Sequence, residues 1–192
     1  MTETGLTFMN TTLATMAALR AWLIVERLIH GKATSLGAAS GIVAGLVAIT
    51  PACGAVSVTG AIALGAILGG VCAWAVGLKY KVGLDDSLDV VGVHLVGGLI
   101  GTLLIGFLST SAAPGGIDGL FYGGGVDSLI NQTVAALIAL VWTGVLTVVI
   151  ALAIKYTIGW RLDEEDEVTA GIDFAEHGES AYDIAGTSGG IL

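Results

Sequence analysis

This sequence predicts an all-α integral membrane protein with about five transmembrane helices, and three observations carry that prediction. Hydrophobic residues make up 55% of the 192 and charged residues 12%, against about 25% charged in soluble domains; mean hydropathy is +0.90. Five apolar stretches, roughly 8–28, 36–50, 58–78, 88–109 and 129–158, alternate with short polar connections. Six of the seven Lys and Arg residues also fall in every second connection: Arg27 and Lys32, then Lys79 and Lys81, then Lys155 and Arg161. The positive-inside rule makes that side cytoplasmic, so five crossings start outside and end inside.

A span needs about 20 apolar residues. The first stretch meets this and carries Arg20 about midway, either facing a polar interior or snorkelling to the surface. The second, "LGAASGIVAGLVAIT", is short and stops at Pro51. Alone it fits a buried core helix, but beside four longer stretches it reads as a short span. Gly37, Gly41 and Gly45 recur on it every four residues, as do Gly65 and Gly69 on the third stretch and Gly97 and Gly101 on the fourth. Residues four apart share a helix face, so each set lets a neighbouring backbone come close. Trp74 and Trp160 sit near cytoplasmic ends and read as interfacial anchors. Residues 1–160 thus form a transmembrane region. Residues 161–192 read as an acidic cytoplasmic tail, with nine of the sixteen acids between Asp163 and Asp183.

Several classes are disfavoured. Thirty glycines with two prolines argue against collagen. Two cysteines, Cys53 and Cys72, make neither a disulfide framework nor a CxxC pair. "MTETGLTFMN" lacks the positive region of a cleaved signal peptide. No basic footprint suggests nucleic acid. Phosphate-loop, dinucleotide and HExxH motifs are absent, no nucleophile–base pair argues for an enzyme, and no cofactor is implied.

The chemistry concentrates in "DDSLDVVGVHLVGGLIG", Asp85–Gly101. In a soluble protein, a lone histidine such as His94 is more often a satisfied core residue. Inside a membrane, where ionisable groups are costly, it marks a pathway. On an ideal helix His94 lies about 7.5 Å beyond Asp89, and Val90, His94, Gly97, Gly98 and Gly101 form one broad face. Asp85, Asp86 and Asp89 are open to two readings. At i,i+3 and i,i+4 spacing they present a carboxylate cluster to a divalent cation; alternatively, Asp85 and Asp86 cap the helix start.

"DDSLDVVGVHLVGGLIGTLLIG" resembles the tenth transmembrane helix of the ammonium transporter family, the Amt/Mep/Rh group. "MNTTLATMAALRAW" resembles its seventh helix, "GKATSLGAASGIVAGLVAITPACG" its eighth, "GAIALGAILGGVCAWAV" its ninth and "LIALVWTGVL" its eleventh. "GWRLDEEDEVTAGIDFAEHGESAYD" is similar to the family's cytoplasmic tail. The resemblance covers nearly the whole chain but only the last five of the family's eleven spans.

The resemblance implies ammonium or ammonia transport through a narrow apolar pore, with this chain supplying only the C-terminal half. His94 matches the second pore histidine, whose neutral imidazole offers one donor and one acceptor. Asp89 matches a helix-fixing aspartate, and Thr50 a threonine near the outer recruitment site. Ser40 matches a small hydroxyl on the same helix, and Asp85 and Asp86 a pair at the cytoplasmic mouth. Further implications are a homotrimer, or assembly with a separate N-terminal half, and docking of a PII-class signalling protein on the cytoplasmic face. In plant members a tail threonine is a phosphorylation switch; Ala175 stands at that place here. Two alternatives accompany this reading. One is a non-conducting module that assembles with full-length transporters; the other is a metal-ion carrier using Asp85, Asp86, Asp89 and His94.

Overall fold

A computed structural model describes residues 2–161, 168 and 171–179. Their regular elements are all helical, with one isolated bridge, Val56 to Ser109. The elements are α1 (Glu3–His30), α2 (Ser35–Ile49), α3 (Val58–Ala75), α4 (Leu78–Val82), a π-helical turn (Val91–Leu95) running into α5 (Val96–Leu108), a short 3-10 turn (Leu120–Tyr122), α6 (Asp127–Thr157) and α7 (Ile172–His177). The chain divides into two compact units, one ending at Val141 and the other starting at Trp142.

Four of the five predicted stretches become helices long and apolar enough to cross a membrane. The fifth, α2, has 15 residues, short of the roughly 17 that a span requires. The third stretch also divides: α3 ends at Ala75 and the separate α4 carries Lys79 and Lys81.

Hydroxyl caps start the first three helices. Thr2 accepts from the Gly5 amide, Thr34 from Gly37 and Ser57 from Gly60, each satisfying an orphan N–H of the first turn. Glu26 on α1 then takes both the amide and the hydroxyl of Thr34, at 3.1 and 2.7 Å, tying the end of α1 to the start of α2.

Small residues build the core of the first unit. Gly41 and Gly45 of α2 lie against Trp22, Leu19, Ala18 and Thr15 of α1. Gly65 and Gly69 of α3 meet the Ala14 and Ala18 backbone, and Gly101 of α5 meets that of Ala48. Ala14, Ala48, Ile49, Leu64 and Leu68 are fully buried where these helices cross. Every glycine series predicted from four-residue spacing therefore faces a neighbouring helix.

At the end opposite Lys79 and Lys81, loops 50–57 and 109–126 interlock. The Thr110 amide donates to Ala55 O and the Gly115 amide to Gly54 O, both at 3.0 Å. Asp118 accepts from the Ser111 amide and hydroxyl, which lowers its pKa below the usual carboxylate range. From α1, fully buried Asn10 donates through Nδ2 to Cys53 O and Val56 O at 2.8 and 2.9 Å. Asn10→Ala orphans both carbonyls and leaves a void. It is expected to cost about 1–3 kcal/mol, read as a lower unfolding midpoint of the detergent-solubilised chain.

Candidate functional site

The stretch Asp85–Gly101 begins as a turn and becomes a helix only at Val90. Asp86 governs the transition: one carboxylate oxygen accepts from the Val90 amide at 2.8 Å and the other from Val91 at 2.9 Å. It is thus a capping residue with both oxygens engaged. Asp89, in the left-handed region at φ 57°, is the one non-glycine residue with positive φ among those described. Its carboxylate meets Lys79 Nζ at 2.6 Å, and the same ammonium donates to Asp86 O at 2.7 Å. The Asp89 carbonyl accepts from the Val93 amide at 2.8 Å, which starts the helical ladder.

That ladder is wide. The Val96 amide bonds Val91 O, an i→i+5 spacing, so the turn Val91–Leu95 is π-helical. Gly92 allows it to seat: a Cβ there would stand 2.8 Å from Cα and Cγ1 of Val76. Val93 is buried beside Cys72. His94 consequently lies on the exposed side of the first unit, flanked by exposed Val90, Val91 and Leu95.

Two expectations are corrected here. The single face assigned to Val90, His94, Gly97, Gly98 and Gly101 is divided. Gly97 and Gly101 are buried against α3 and α2, Gly98 is half-buried and His94 is exposed, because the extra residue in the π turn rotates what precedes it. Nor do Asp85, Asp86 and Asp89 share a helix face; all three precede the helix. Two carboxylates of the proposed cation cluster are engaged elsewhere, Asp86 by amides and Asp89 by Lys79. No group of three or more His, Cys, Asp or Glu suited to a metal occurs among the described residues. The geometry therefore opposes the metal-carrier alternative.

The model of the Ammonium Transporter Family matches residues 1–182. The chain belongs to that family. Among other members, it is 59% identical over 194 residues to an ammonium transporter of Mycobacterium tuberculosis, covering 98% of this chain and 40% of the relative. It is 45% identical to one of Bacillus subtilis, covering 91% of this chain and 43% of that one. In three dimensions it resembles Saccharomyces cerevisiae Mep2, with TM-score 0.79 and 31% identity over 85% of this chain and 38% of that one. It also resembles a protein described as a sensor Amt protein, with TM-score 0.76 and 27% identity over 87% of this chain and 40% of that one. The chain thus spans about two fifths of the length of these transporters. With its apolar helices, family membership makes it a multi-pass membrane protein.

The other residues matched to the ammonium transporter family lie on α2 and in the turn before the helix that carries His94. Thr50 closes α2 at the interlocked-loop end, exposed, its hydroxyl donating to Leu46 O at 2.6 Å. Ser40 is half-buried on α2, and Asp85 is exposed in the turn before the helix. Arg20 is exposed on α1. Ala175 lies in α7, while most of the acidic tail, including Ala181 and Tyr182 of the family-like ending, is outside the described residues. Sequence reasoning missed Lys79 as a site residue, treating it only as a topology signal. Its only sequence clue was a lysine a loop's length ahead of a carboxylate triplet.

Proposed function

We propose that this chain forms one wall of an ammonium-conducting path and that the remaining length of its family relatives supplies the other. The observation that carries this reading is His94, an imidazole on the exposed side of an apolar helical segment in a chain of the ammonium transporter family. An apolar lumen strongly penalises an unpaired ion and penalises a neutral amine far less. Ammonium would be recruited at the Thr50 end, deprotonated, and passed as ammonia along His94, whose ring gives and takes a hydrogen bond. Asp85, Asp86 and Asp89 would stand at the other mouth. The basic residues near that mouth support a cytoplasmic assignment for it, with the N-terminus outside and the C-terminus inside. In this reading the working assembly is a homotrimer, and a PII-class protein docks on its cytoplasmic face.

The test is uptake of labelled methylammonium by proteoliposomes holding this chain together with the first six spans of a relative. Uptake is expected with both parts and not with either alone. An inserted, co-purifying pair that takes up nothing overturns the proposal.

One observation favours a second reading, a non-conducting module within a larger assembly: of residues 127–141, the part of α6 in the first unit, Ser128 alone is buried. Such a module would co-purify with a full-length transporter and leave its uptake unchanged.

A further inference from the structure

Lys79 lies outside every motif that carries the family resemblance, yet its ammonium is the point at which the turn before His94 is held closed. Its side chain is 12% exposed, its Nζ bonds both the Asp89 carboxylate and the Asp86 carbonyl, and it lies 5.2 Å from the Tyr80 ring centre.

Each contact leads toward the imidazole. Asp89 is the described non-glycine residue with a left-handed backbone, a conformation that persists only where its surroundings enforce it. Its carbonyl receives the Val93 amide. Asp86, gripped through its backbone by Lys79, uses its own carboxylate on the Val90 and Val91 amides. Those are the residues that open the π turn, and the width of that turn sets the side on which His94 emerges.

We propose that Lys79 is a positioning residue for His94: by pinning Asp86 and Asp89 it holds the π turn in the register that turns the imidazole away from α3. This rests on the reading of His94 as a pore residue. Without the ammonium, the Asp89 carboxylate loses its partner and the left-handed turn relaxes. A π turn that closes to an α turn then rotates His94 by about 100°, one residue's angular step.

The chain has three histidines, so ring resonances of the histidine-labelled chain in lipid nanodiscs report His94 directly. Lys79→Ala is expected to move the His94 signals and leave those of His177 in place, while Lys79→Arg keeps the wild-type spectrum. In liposomes holding the chain with the first six spans of a relative, Lys79→Ala is expected to change the ammonium-to-methylammonium uptake ratio about fivefold. In a His94→Ala background it should add nothing. Unmoved His94 signals in Lys79→Ala, or losses that add in the double variant, overturn the proposal.

If circular dichroism shows that Lys79→Ala does not fold, Asp89→Asn carries the test. It tolerates the left-handed backbone and removes the charge pair, and it should displace the same resonances; undisplaced resonances overturn the proposal. If His94→Ala alone leaves uptake unchanged, the pore reading fails, and the resonance shift still decides the role of Lys79.

Discussion

Alanine in place of Gly65 or Gly69 is expected to be among the most damaging single changes to the packing of α1 on α3. A Cβ at Gly65 would stand 2.7 Å from Ala14 Cα, and one at Gly69 2.5 Å from Ala18 Cα. Both obstacles are backbone, which cannot turn aside as a side-chain tip does. To admit the methyl, α1 must lift from α3, and Ala14, Leu64 and Leu68, all fully buried, lose their contacts. Lipid chains are as apolar as the core, so membrane helices hold together by close packing rather than by escape from water, and nothing replaces the lost contacts. Each substitution is expected to cost about 3 kcal/mol, and the pair to prevent folding, seen as loss of cooperative unfolding by circular dichroism in detergent. The control is Gly144 on α6, where a Cβ meets nothing within 4 Å. Alanine there is expected to be neutral or slightly stabilising, since glycine is a poor helix former.

The same glycines show what the sequence made legible. Spacing of four puts residues on one face whatever that face meets, so Gly41, Gly45, Gly65, Gly69 and Gly101 were readable as contact surfaces without knowing their partners. Long apolar runs bounded by charge were readable as helices for the same local reason. The π turn was not. "VGVHL" has no local preference for i→i+5 bonding; the wide turn follows from Asp86 capping two amides, from Asp89 turning left-handed, and from Val76 standing where only Gly92 fits. The last two depend on the chain returning on itself through α4. The prediction of one continuous face from Val90 to Gly101 assumed 3.6 residues per turn throughout and failed at the residue of greatest interest. Lys79 was hidden similarly, because its ion pair spans a loop whose path no periodicity encodes. Asp86 was legible because capping is local: a carboxylate just before an apolar helical run is a recognisable helix start.

Replacing His94 by alanine tests the functional reading most directly, and its expected effect is on selectivity rather than on stability. The ring is exposed on the first unit and packs against no core residue named above, so the variant should fold as well as the parent. In the assembled path the imidazole would serve as a hydrogen-bonding partner for a small polar solute crossing apolar surroundings. Its loss leaves that solute one bond short where water cannot compensate, about 1–3 kcal/mol at the barrier, or about five- to 150-fold in rate. The loss should fall differently on different solutes. An amine that depends on the ring slows, whereas a cation that enters with its own water gains room once the ring is gone. His94→Ala should therefore lower methylammonium uptake while raising conductance to potassium, both measured in the same liposomes. His30→Ala, which alters an exposed imidazole at the end of α1, should change neither. An His94→Ala assembly with an unaltered substrate profile would remove the histidine from the path and return it to the ordinary role of a polar residue at a helix surface.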